Sequence, residues 1–244
     1  MYKKYPPSEN LATYRAVTNK ITDYIVQKAG TTGHLNILEA GCGSVWRFKL
    51  QNISYTLTGV DLDEAALNIR KNERKDLDIA IFADLRTVSL EDANYDVIYT
   101  ENVLEHVDGA EEVLKRFVRW LKPGGTMILI FPNRDSAYSF VTRMTPFAFH
   151  VFYKKYIQGY KDAGKPGHDP YPVSFDHVVS RNGIYEFCEE HGLKVKAEYR
   201  MDTPMLDNAI GWFLMRTFMW SLSLISFGNL SLDHRNVIFI IEKP

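Results

Sequence analysis

Three features of the sequence predict an α/β protein built on a doubly wound, mostly parallel sheet of seven strands. Short apolar runs alternate with helical stretches, the first run ends on Gly41-Cys42-Gly43, and the second ends on Asp61. Strands separated by helices pair through crossovers, and crossovers make parallel neighbours. The 244 residues suit one domain, with 45% hydrophobic and 24% charged residues and a formal net charge of -1. A near-neutral chain with no Lys/Arg run lacks the positive field that a phosphate backbone requires, which speaks against a nucleic-acid partner. The two cysteines, Cys42 and Cys188, form neither a disulfide framework nor a zinc spacing. No apolar run follows Lys3 and Lys4, so no secretory signal is expected and a cytoplasmic location is.

Taken in order, residues 1–32 read as an N-terminal helical lid. Ser8 can cap a helix to Lys28, Leu11, Ala12, Val17, Ile21 and Ile25 recur at helical spacing, and Gly30 can end it. Residues 33–132 then alternate as a core. Strands are expected at Leu35–Ala40, Leu57–Asp61, Ile79–Ala83, Tyr95–Thr100 and Thr126–Phe131, with helices at Asp63–Glu73 and Gly109–Leu121, the second stopped by Lys122-Pro123-Gly124-Gly125. Residues 183–244 return to the core with a helix at Ile184–His191 and strands at Leu193–Arg200 and Asn236–Glu242.

Two segments break the alternation. Residues 133–182 are aromatic and basic, hold Pro146, Pro166, Pro170, Pro172 and the histidines His150, His168 and His177, and follow a strand's carboxyl end. Open α/β sheets place their substrates there, so the segment reads as a helical substrate cap. The second is an apolar helical insertion over 205–230. Its run Ala209 to Gly228 has nearly the length of a membrane span, but Arg216 would sit near the bilayer centre at a cost of about 2.5 to 3.5 kcal/mol. A buried or interfacial helix is expected instead of a transmembrane one, which leaves core, dimer interface and peripheral membrane contact open.

The chemistry is concentrated at Ile37-Leu38-Glu39-Ala40-Gly41-Cys42-Gly43-Ser44. Glycine lets a ligand approach the backbone closely and leaves positive φ free. Asp61 follows Glu39 by 22 residues at the next strand's end, where a carboxylate can accept hydrogen bonds from both hydroxyls of a ribose.

With these residues in view, the chain resembles the class I S-adenosylmethionine-dependent methyltransferases, particularly the broad small-molecule group. The resemblance covers about residues 33 to 132. It rests on Glu39-Ala-Gly41-Cys42-Gly43, Gly59-Val-Asp61, Ala83-Asp84-Leu85, the run from Tyr95-Asp96 to Glu105-His106-Val107, and Leu121-Lys-Pro-Gly-Gly-Thr-Met-Ile-Leu-Ile. It implies a Rossmann-like methyltransferase fold, with S-adenosylmethionine as cofactor and S-adenosylhomocysteine as product. Gly41, Cys42 and Gly43 would form the loop under the methionine moiety, with Glu39 near its ammonium group. Asp61 would hold the ribose and Leu62 would pack on adenine. Asp84 would accept from the adenine amine beside the Leu85 amide, and Thr100, Glu101 and Asn102 would line the methionine and the methyl donor.

One departure stands out. The family often has a third glycine where this chain has Val45, and bulky Trp46 follows. Trp46 also occupies the last glycine position of Gly-x-Gly-x-x-Gly, which argues against the alternative of a nicotinamide oxidoreductase. A non-catalytic cofactor-binding scaffold of the same fold is the other alternative. For an enzyme, the expected partner is a small acceptor that is apolar or aromatic, such as a secondary metabolite, a quinone-like ring or a lipid-linked sugar. A hydroxyl acceptor gains from a base near neutral pKa, for which His106, His150, His168 and His177 are candidates. Asp96, Glu105 and Cys42 read more simply as structural residues, and no metal site is expected.

Overall fold

In the computed structural model, residues 5, 8–157, 159–165, 170–202 and 209–244 are described; Pro166 and the candidate base His168 lie outside them. Eight strands form one sheet in the order β1-β7-β8-β6-β5-β2-β3-β4. Their ranges are β1 Glu9–Asn10, β2 His34–Ala40, β3 Ser54–Asp61, β4 Ile79–Phe82, β5 Tyr95–Glu101, β6 Leu121–Pro132, β7 Lys194–Met201 and β8 Asn236–Glu242. All neighbours pair in parallel except β8, which runs antiparallel to both β6 and β7. The expected seven strands are therefore present together with an eighth, short β1, which pairs Glu9 with Tyr199 and Asn10 with Arg200.

That extra strand corrects the reading of the first helix. Ser8 hydrogen-bonds His234 across the fold, and helix α1 runs over Tyr14–Thr32. Its N-cap is Thr13, whose hydroxyl accepts from the Ala16 amide at 3.1 Å. Gly33, at φ 83°, ends it in place of Gly30. Val17, Ile21, Ile25 and Ala29 form its buried stripe against one sheet face.

Helix α2, Glu64–Asn68, is capped by Asp63 and continues as a wider-pitched turn over Ile69–Arg74. Helix α3, Ala110–Trp120, covers the other face with Val113, Leu114, Phe117 and Trp120 buried. The Lys122–Gly125 turn bulges out between two paired positions, Tyr95 with Leu121 and Val97 with Thr126. Gly124 turns it at φ 74°. Helix α6, Arg181–Glu190, starts three residues earlier than expected because Ser180 caps it.

The insertions come together. Helices α4, Ala137–Met144, and α7, Ala209–Ile225, pack through Ala137, Tyr138 and Met219, joined by Trp212, Met215 and Leu222. Helix α5, Phe147–Phe152, follows α4. Met219 is the one α7 residue that is fully buried among the described residues, while Ile210, Phe213, Leu214, Phe218, Leu224 and Ile225 face outward. Of the two expected alternatives, buried or interfacial, a wholly buried helix does not hold: its outer face is exposed because α4 is only two turns long and covers one stripe. No helix among the described residues is long and apolar enough to cross a membrane.

Candidate functional site

Strand order reverses between β2 and β5, so the carboxyl ends of β2, β3 and β5 open a crevice at the switch point. The loop Gly41–Ser44 lines it. Gly41 and Cys42 both donate their amides to the Val60 carbonyl, at 2.8 and 3.3 Å, which binds the loop to the end of β3. Gly41 has φ 72°, and a Cβ there would lie 2.2 Å from a Val103 methyl, so only glycine fits. Gly43, at φ 49°, differs: a Cβ would meet nothing within 4 Å. Open space therefore lies directly over the backbone at Gly43. Cys42 is buried beneath the loop, and burial pushes its thiol up to about 12, which makes it a packing residue with no thiolate near neutral pH.

Asp61 ends β3 with both oxygens engaged: Oδ2 accepts from the Gly43 amide at 2.7 Å and Oδ1 from the Asp63 amide at 2.8 Å. Each oxygen keeps a second lone pair for a hydroxyl donor. Glu39 sits below the loop and is buried. Its Oε2 accepts from Arg70 at 2.9 Å, while the same guanidinium donates to the Cys42 carbonyl at 2.9 Å and to Asp76 at 2.5 Å. Burial pushes the Glu39 carboxyl up to about 8, more strongly than Arg70 pulls it down. Arg70 thus ties the acid, the glycine loop and the end of α2's wide turn into one knot. It escapes notice in the sequence because Arg70-Lys71-Asn72-Glu73-Arg74-Lys75 reads as a solvated charged face.

At the end of β5, Thr100 is buried and its Oγ1 has no hydrogen-bond partner, an orphaned hydroxyl at the crevice floor. Glu101 is held by the Tyr99 hydroxyl, which donates at 2.6 Å, and by Arg47 at 2.9 Å. Asn102 turns the chain at φ 54° and lies near the Tyr14 side chain from α1. Helix α1 thereby reaches this end of the sheet through Tyr14, which no sequence signal distinguished.

On the far side, Leu62 is 65% exposed although apolar, and Phe82, paired in register with Asp61, is 60% exposed. Two such side chains at adjacent strand ends make an apolar shelf for a ring. Phe82 was legible as an aromatic at a strand's carboxyl end, yet went unremarked. Leu85 is buried in the core. Asp84 is held by Arg86, whose guanidinium keeps the carboxyl below its usual range. An adenine amine would share that carboxylate with Arg86.

No two of the described candidate histidines contact the same element. His106, on the turn Leu104–His106, meets the Pro172 carbonyl at 2.7 Å through Nδ1. A carbonyl only accepts, so Nδ1 carries a proton, while Nε2 lies 3.7 Å from the buried Glu105 carboxylate. Tyr171 packs edge-on against its ring at 5.8 Å. His150 pairs with Thr145 and burial lowers its pKa. His177 is exposed and faces Glu186 at 3.9 Å. Only His106 follows directly on the crevice-lining end of β5.

Between β2 and β3 the chain forms no helix. Trp46 and Phe48 anchor it by edge contacts to Tyr99 at 6.2 and 4.9 Å. A dinucleotide's pyrophosphate needs a helix N-terminus after the glycines, and none is present there. A nucleoside bound through its ribose needs only the carboxylate, the open glycine and the shelf, all of which are in place.

Residues 38–129 match the methyltransferase domain family. A ubiquinone biosynthesis O-methyltransferase of Pseudomonas savastanoi pv. phaseolicola is 28% identical over 151 residues, which cover 56% of this chain and 63% of that protein. The chain thus spans less than two thirds of that curated relative's length. An S-adenosylmethionine-dependent methyltransferase from Mesorhizobium loti shares the fold with a TM-score of 0.54 and 14% identity, covering 91% of this chain and 96% of the other. The cyclase SpnF shares it with a TM-score of 0.53 and 13% identity, covering 96% of this chain and 84% of the other. The match over residues 38–129 and the motif order from Glu39 to Gly125 agree with this fold, and it is to the methyltransferase domain family that this part of the chain is similar.

Proposed function

We propose that the chain transfers a methyl group from S-adenosylmethionine to a small apolar or aromatic acceptor, of which a ring hydroxyl of quinone-like type is favoured. The carrying observation is the crevice itself: open backbone at Gly43 between the Asp61 carboxylate and the orphaned Thr100 hydroxyl, with Leu62 and Phe82 exposed alongside. Asp61 holds the ribose, the shelf takes the adenine, and the Thr100–Asn102 end receives the amino-acid part. The bound sulfonium supplies an activated methyl group. The protein's task is then to hold the acceptor about 3 Å from that methyl, in line with the leaving sulfur. His106 presents Nε2 to take the proton of a hydroxyl acceptor.

The name of the Pseudomonas relative supports oxygen as the acceptor atom. The aromatic composition of 133–182 supports an apolar body for the acceptor, with that segment acting as the cap. Two free, buried cysteines suit the reducing cytoplasm we assign to it. Calorimetry with S-adenosylhomocysteine and with NAD tests the reading: the first binds and the second does not. Tighter binding of NAD would overturn it.

A further inference from the structure

Beside the crevice, at the same end of the sheet, lies a second cavity of about 140 Å³. Its charge comes from Arg200 at the end of β7, Arg235 at the start of β8 and Arg216 on α7, set against Asp202 and Asp233. Three guanidiniums face two carboxylates. Asp202 is itself engaged, since its Oδ1 accepts from the Arg235 amide at 3.1 Å. Its Oδ2 lies 3.5 Å from Arg200 Nε, longer than a charge-assisted hydrogen bond, and that Nε is buried without a hydrogen-bond partner. No carboxylate of the described residues lies within ion-pair distance of Arg216. Guanidiniums gathered around one cavity repel one another, and an oxyanion held among them offsets that repulsion.

Aromatic rings wall the same space. Tyr138 and Trp212 stack at 6.5 Å with planes 14° apart, and Arg235 lies over the Tyr138 ring at 5.6 Å. The cavity also lies near the Asn102 end of β5. Asn10 lines it, and four residues later the Tyr14 side chain lies near both Asn102 and Arg235.

We infer that this cavity binds an anionic group of the methyl acceptor, a carboxylate or a phosphate, through Arg200, Arg216 and Arg235. The inference rests on the methyltransferase reading, since it treats the cavity as the outer half of the acceptor site. Arginine's planar fork matches either oxyanion. The acceptor then lies with its charged end among the arginines, its apolar body along Trp212 and Tyr138, and its reacting atom toward Asn102.

The test is calorimetric titration of the full chain, at low salt, with benzoate and with inorganic phosphate. One of the two should bind, and which one binds tells carboxylate from phosphate. Arg216→Gln, at an exposed helix position, should weaken that binding by about tenfold or more. Asp233→Asn should tighten it severalfold, a gain that damage to the fold would not produce. Both variants should bind S-adenosylhomocysteine as the wild type does. Failure of both anions to bind, or equal anion affinity in wild type and both variants, overturns the inference. Loss of S-adenosylhomocysteine binding in the wild type overturns the methyltransferase reading instead.

Discussion

Asp61 hydrogen-bonds the Gly43 amide across the crevice at 2.7 Å, so the carboxylate expected to read a ribose also sets the shape of the loop beside it. The two roles are linked. A loop pinned by the residue that binds the ligand is already in its bound form, which lowers the ordering cost of binding.

Asp61→Ala should therefore act twice. Losing an ionised acceptor of two hydroxyls should weaken S-adenosylhomocysteine binding by about tenfold to a hundredfold. The Gly43 and Asp63 amides lose their acceptor as well, so stability should fall by about 1 to 2 kcal/mol. Calorimetry and thermal melting read the two effects separately. A variant that melts lower but binds normally would make Asp61 purely structural.

Glu39 makes stability depend on pH. Burial raises its folded value from an ordinary 4.5 to about 8, so the folded chain holds this proton more tightly than the unfolded one. The associated stabilisation is complete below 4.5 and is lost as pH rises through about 8. Wild type should lose stability between pH 4.5 and about pH 8, and Glu39→Gln, which cannot ionise, should lose less over that window. Equal slopes in urea unfolding would refute the assignment.

His106→Ala should lower turnover of a hydroxyl acceptor by about a hundredfold with unchanged S-adenosylhomocysteine affinity, if Nε2 is the base. His177→Ala, at an exposed position beside Glu186, should leave turnover unchanged. Unaltered turnover in His106→Ala would leave positioning alone to account for the rate.

The α7 orientation gives a sharper contrast. Met219→Ala should destabilise by about 2 to 5 kcal/mol, whereas Phe213→Ser should change stability by less than about 0.5 kcal/mol. Met219 is 6% exposed and Phe213 69%. Similar losses on urea unfolding would mean that the outer face is covered.

Strand positions and the motif chain from Glu39 to Gly125 were legible because buried parallel strands are continuous apolar runs and glycines mark their ends. Less legible was whatever depends on contacts distant in the chain. Ser8 reads as a helix cap, yet its partner is His234, 226 residues away. Arg70 looks solvated until the fold wraps Glu39 and Asp76 around it. The arginine cavity draws on β1, β7, β8, α4 and α7, and no local pattern collects those. The histidines show the converse: residue type alone makes each a candidate base, and only the fold puts His106, of the described ones, just after the end of β5.

The pairing of Glu9 with Tyr199 and Asn10 with Arg200 has a consequence for the order of assembly. Among the described residues β1 pairs only with β7, across most of the sequence, and α1 buries its stripe partly against Ile238 and Ile240 of β8. Contacts of such sequence separation form late, because the intervening loop must close first. On the ribosome the glycine loop and strands β2 to β6 can pair while the lid segment still waits for β7 and β8. Tyr14 then comes to Asn102 only after β7 and β8 have been made, so a nascent chain should gain its crevice before α1 settles beside it.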